Sequence, residues 1–108
     1  AATFCHCGSC RRATGAHAVP WAMVALAGRR WSGTTQPARY VSSPGLTRSF
    51  CPRCRTPLAY FNDSSPATVD LTLGSLDDPG RVTPVDDIWM EDAVAWDRPG
   101  EQRPMHPR

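Results

Sequence analysis

"LTRSFCPRCRTPLAYFN", residues 46–62, sets two runs rich in apolar and aromatic residues on either side of a Cys-Pro-Arg-Cys step. That pattern predicts two antiparallel strands joined through a knuckle that aims two thiols at one point, the hairpin form of many zinc sites. Downstream, residues 67–80 alternate, with Val69, Leu71 and Leu73 on one side of an extended chain and Asp70 and Thr72 on the other. Period-two alternation marks a half-buried strand, and Asp78-Pro79-Gly80 supplies its turn. Residues 82–90 add a short edge segment. The tail from Arg98, with prolines at 99, 104 and 107, reads as irregular.

Upstream, residues 34–43 predict a strand closed by the Pro44-Gly45 turn. Residues 19–28 predict a buried strand with Pro20 near its start and a glycine turn behind it. Arg11 to Ala16 contain good helix formers followed by Gly15, so one short helical turn is expected directly behind Cys10. Eleven prolines and eight glycines are spread along the chain and punctuate many short elements, which favours β-structure over long helices. There is no internal repeat.

At 108 residues and 41% hydrophobic content the chain is one domain's worth, with a modest core. The net charge of +2 comes from twelve arginines, no lysine and ten scattered acids. With no like-charged run, bulk attraction to nucleic acid is not expected. No stretch approaches the roughly 18 apolar residues that cross a bilayer, and the start lacks a basic segment followed by an apolar run. A cytoplasmic location is therefore expected.

The cysteines stand at 5, 7, 10, 51 and 54. An odd number without a secretion signal disfavours disulfides, and two short clusters about forty residues apart are a metal signature. Sulfur donors select zinc over magnesium or calcium. Two divisions of the five remain open. Cys7, Cys10, Cys51 and Cys54 could close a structural zinc ribbon and leave Cys5 over. Alternatively, Cys5, Cys7 and Cys10 could form their own three-thiolate site, with an exogenous ligand in the fourth position.

Three segments, "CHCGSCRRATGA" (5–16), "YVSSPGLTRSFCPRCRTPLAY" (40–60) and "LGSLDDP" (73–79), together resemble the glutathione-dependent formaldehyde-activating enzyme family, to which centromere protein V is also related. The likeness runs from Phe4 to about Trp96. It implies a mainly β, tent-like fold of small coiled antiparallel sheets around zinc, with one short helical turn. It implies a catalytic zinc on Cys5, Cys7 and Cys10. It also implies a structural zinc in which Cys51 and Cys54 join an upstream C-x-C pair. The single domain expected over residues 1–108 lacks that pair. Two further departures are Arg55, where the family commonly has glycine after the second knuckle cysteine, and Asp87, where it commonly has histidine.

The activity implied is that of a zinc-dependent carbon-sulfur lyase that forms or cleaves S-hydroxymethylglutathione from glutathione and formaldehyde. Glutathione carries two carboxylates, and Arg11 and Arg12 directly after the trio are candidates to clamp them, against the plainer reading of solvated helix residues. His6 lies between two ligands, so its side chain is expected to point away from the metal and pack. Trp21, Trp31, Trp89, Trp96, Phe50 and Tyr60 are expected as core anchors, and Asp77 and Asp78 as turn formers. The alternative function is a non-catalytic zinc module for protein, less readily nucleic-acid, interaction.

Overall fold

The computed structural model describes residues 1–27, 31–97 and 103–108. The fold is mainly β with one short helix. The strands are β1 (Ala2–Cys5), β2 (Val19–Ala25), β3 (Ala38–Ser43), β4 (Leu46–Phe50), β5 (Pro57–Asn62), β6 (Thr68–Thr72) and β7 (Asp86–Ile88), and the helix α1 spans Gly8–Thr14. They join in one seven-stranded sheet in the order β3-β4-β5-β6-β2-β1-β7. Neighbours are antiparallel except β1 and β7, which run parallel. The mixed sheet follows from connectivity: hairpin turns link β3 to β6 in succession, whereas β1 meets β7 only after the chain has gone round the whole sheet.

Most of the strands expected from the sequence are present, with shorter ends. Gly45 adopts φ 78 in the β3–β4 turn, where a side chain would be strained. The glycine turn expected after β2 falls at Gly28, outside the described residues. Strand β1 had no sequence signal of its own, because four residues carry too little alternation to read. The helix starts earlier than expected. Cys7 caps it, with Sγ accepting from the Cys10 backbone N–H at 3.3 Å, so Cys10 lies within the helix instead of ahead of it. Gly15 ends it in the left-handed conformation, its N–H bonded to the Arg11 carbonyl at 2.7 Å.

The described part of the tail, residues 103–108, forms no helix or strand, as expected, yet it is bonded to the sheet; residues 98–102 lie outside the described residues. Asp87 N–H donates to the Pro104 carbonyl at 3.0 Å, and His106 N–H donates to the Asp87 carbonyl at 2.9 Å. Met90 and Glu91 N–H groups bond to the carbonyls of His106 and Pro107. Residues 103–108 thus cover the free edge of β7. Proline lacks an N–H, but Pro104 and Pro107 serve here only as acceptors, so an edge position costs them nothing.

Alternation gives the sheet two distinct faces. Directly paired residues share a face. Thr3 pairs Trp21 and Asp86, and Cys5 pairs Val19 and Ile88, so these six lie together. The opposite face carries Phe4 and Asp87, and nearer the centre Ala22, Leu71, Ala59 and Ser49, small enough to pack closely. Of the six aromatics expected in the core, only Trp21 is buried. Trp31, Phe50 and Tyr60 are partly buried, Trp89 is 37% exposed and Trp96 73% exposed. Trp89 sits beyond the end of β7, with the Arg108 guanidinium 5.8 Å from its ring centroid, and Trp96 lies beyond the last short helical turn, resting on the His17 ring, 5.4 Å between centroids.

Candidate active site

The odd positions of β1 point to one face and the even ones to the other, so Cys5 and His6 part company at the strand's end. Cys5 faces Trp21 and Val19. The chain then turns through Cys7 into α1, whose first turn brings Cys10 back over Cys5. The three sulfurs lie within 4.8 Å of one another. Cys5 and Cys10 are buried, Cys7 is partly exposed, and Val19, Trp21, Tyr60 and Ile88 pack around them.

Three thiols so close cannot all carry charge. Hydrogen bonds from Cys10 and Cys5, and then the Cys10 and Ser9 backbone N–H groups, hold the Cys7 sulfur as a thiolate with its pKa down at about 2, against the opposing effect of burial. Sharing hydrogen bonds with Cys10 and Cys7, together with burial, pushes Cys5 far up. For Cys10 the Cys5 contact lowers the value, but Cys7 and burial outweigh it and Cys10 is also raised. One negative charge is thus held among three sulfurs by two protons. A divalent cation would replace those protons, and three soft sulfur donors within 4.8 Å of one another could hold one.

Cys51 and Cys54 do not join them. Among the described residues the trio is the one group of three or more potential ligands drawn together. The knuckle itself is formed: Arg55 N–H donates to the Cys51 carbonyl at 2.8 Å, and Cys51 N–H to the Thr56 carbonyl at 2.9 Å. Cys54 is exposed, and its thiol is lowered to about 7 by the Thr56 hydroxyl 3.0 Å away, helped by backbone N–H groups and Cys51. The four-cysteine ribbon that spacing alone allows is not what the chain builds. Strand β4 carries Cys51 to the far end of a hairpin, while Cys10 is held by α1 against β2. Arg55 keeps the turn that glycine would favour, with φ 69, and its Nη1 donates to the Pro52 carbonyl at 2.8 Å.

A cavity of about 810 Å³ opens over the trio. Its walls include Arg11 and Arg12, and also Arg48, Tyr60, Asp70, Trp21 and Trp89. Strand register explains the new members. Arg48 pairs Tyr60, Tyr60 pairs Asp70, and Asp70 pairs Met23, so they form a row across four strands on the Cys5 face. The alternation of residues 67–80 correctly separated Asp70 from Val69 and Leu71. What it could not reveal is that Asp70's side faces a cavity, where burial pushes its carboxyl up. Burial likewise raises the Tyr60 hydroxyl, with the Arg48 cation opposing. Arg48 is 9% exposed, and both its Nη atoms donate toward Cys10 Sγ at 3.8 and 3.9 Å.

Behind the trio, on the opposite face, His6 is 1% exposed, as is Asp87. His6 Nε2 and Asp87 Oδ1 are 2.8 Å apart, and Asp87 Oδ2 accepts from Arg103 Nε at 2.9 Å. Asp97 Oδ2 stands 3.2 Å from His6 Nδ1, near enough for electrostatic attraction though off the hydrogen-bonding line. Arg103 also lies over the Phe4 ring, 4.6 Å from its centroid. His6 therefore points away from the thiols, as expected, and Asp87 is its partner.

No curated protein matches the chain. The model of the family described as glutathione-dependent formaldehyde-activating enzyme matches residues 1–92, and with this match, the chain belongs to that family.

Proposed function

We propose that the protein is a zinc-dependent carbon-sulfur lyase that joins a small thiol, glutathione in the first instance, to formaldehyde and cleaves the product. The observation that carries this reading is the convergence of Cys5, Cys7 and Cys10 at the wall of a cavity large enough for such a thiol. Cys5, Cys7 and Cys10 would hold the ion, which when bound supplies a position that keeps an incoming thiol in its nucleophilic thiolate form. In the addition, the thiol sulfur attacks the carbonyl carbon and a C–S bond forms. The carbonyl π pair moves to oxygen, which takes up the proton the thiol gave up. The reverse reaction breaks the same bond.

The chain's own residues supply the surroundings. Trp21, Tyr60 and Ile88 pack against the sulfurs and give them an apolar surround on that side. Arg11 and Arg12 stand on the cavity wall, where their guanidinium groups suit the carboxylates of glutathione. Cys51 and Cys54 offer two further sulfur donors on the knuckle, half of a second, structural zinc site. All five cysteines are free thiols, which suits a reducing, cytoplasmic setting. Among the described residues no helix is long and apolar enough to cross a membrane.

The test combines native mass spectrometry with and without glutathione and NMR exchange between formaldehyde and its glutathione adduct. Wild-type protein should hold zinc, bind glutathione and speed the exchange. Cys5→Ser should weaken zinc binding by more than about 100-fold, since even the partners of metal ligands contribute up to that much, and abolish the acceleration. Zinc held tightly with neither glutathione binding nor acceleration would favour the non-catalytic module instead.

A further inference from the structure

Arg48 is a buried cation without a carboxylate. Among the described residues it takes part in no ion pair with an acid. Its Nε is buried with no hydrogen-bond partner, its guanidinium lies over the Tyr60 ring at 5.0 Å from the centroid, and its Nη atoms reach only a sulfur. Enclosing a charge in this way is costly unless an anion faces it. The anion available is the thiolate cluster. Arg48 is held there by register, two strands from Asp70 in the row across the sheet, with Tyr60 between the cation and the acid.

Resting on the lyase reading above, we propose that Arg48 makes the trio selective for an anionic sulfur ligand. Three thiolates around a divalent cation already leave one net negative charge, and an entering thiolate adds a second. Such a centre repels the very ligand the reaction needs. A fixed guanidinium beside Cys10 offsets that repulsion, and because Arg48 and Cys10 are both buried its effect is larger than between groups in open water. A neutral ligand adds no charge and gains little from Arg48. The residue is therefore a specificity determinant that acts on the charge of the ligand and makes no demand on the rest of the substrate. Arg11 and Arg12, on α1, remain the groups placed for carboxylates.

The test uses cobalt(II)-loaded protein and its visible spectrum to titrate three ligands: glutathione, 2-mercaptoethanol, which has no carboxylate, and neutral imidazole. Arg48→Met should weaken both thiols at least about tenfold, equivalent to about 1.4 kcal/mol, and leave imidazole unchanged. Arg48→Lys should recover most of the thiol affinity, and Arg48→Gln carries the same expectation as Arg48→Met should the latter not fold. Loss of glutathione alone would make Arg48 a carboxylate binder and overturn the proposal. Equal loss of all three ligands would make it a packing residue and overturn the proposal as well. Undiminished thiol binding in Arg48→Met overturns this proposal alone, whereas a wild-type protein that binds no thiol overturns the lyase reading with it.

Discussion

Arg55 and Asp87, two of the positions that the resemblance marked as departures, are each held by a specific contact. Arg55 holds a left-handed φ of 69 and recovers part of the cost by bonding Pro52. Arg55→Gly should therefore be neutral to stabilising, by up to about 1 kcal/mol, while Arg55→Val should lose more than about 1 kcal/mol, both read by thermal or urea unfolding. For Asp87, burial pushes the carboxyl up, but the Arg103 and His6 hydrogen bonds outweigh it and the native value is lowered. A depressed carboxyl stabilises the fold above its ordinary value of 3.8, and that contribution disappears as pH falls through the lower native value. Unfolding midpoints should accordingly drop on acidification below about pH 4 in wild type and show less of that drop in Asp87→Asn. Asp87→Asn should itself cost about 2–3 kcal/mol at neutral pH, because it weakens the bonds of a buried acceptor to two cationic or basic partners. The resemblance alone drew attention to residue 87, and its partners could not be read in the sequence: His6 and Arg103 lie 81 and 16 residues away and meet it only through the β1–β7 pairing and the tail.

At the scale of the element, the unit that matters is β1, the turn at Cys7 and the first turn of α1. Its cysteine spacing was legible, and so was the outward turn of His6, because both follow from local chain geometry. The length of α1 was read too short, since a cysteine acting as N-cap leaves none of the usual Ser, Thr, Asp or Asn signal. The unit predicts its own proton balance. With Cys7 held as thiolate and Cys5 and Cys10 raised, binding of zinc near pH 7 should release about two protons. Calorimetry in buffers of differing ionisation enthalpy would measure that number; release of about three, or of none, would mean that the trio does not share one charge in this way.

Across the whole molecule, the division of labour follows the two faces of the sheet. One carries the thiols, Arg48, Tyr60 and Asp70 toward a cavity; the other carries the His6–Asp87–Arg103 support and the closely packed alanines. Strands and turns could be read in the sequence because alternation and Pro-Gly signals are local. The row from Arg48 to Asp70 could not, because it exists only through the register of two strand pairs. The division of the cysteines was equally undecidable from spacing, because it depends on where β4 and α1 carry Cys51 and Cys10. X-ray absorption at the zinc edge, on Cys51→Ser/Cys54→Ser protein, tests that arrangement most directly. Three sulfurs at about 2.3 Å with one lighter neighbour, becoming four sulfurs when glutathione is added, is the result expected of an open three-thiolate centre. Loss of the zinc in that double variant, or four sulfurs in the wild type before any thiol is added with fewer once Cys51 and Cys54 are replaced, would contradict it.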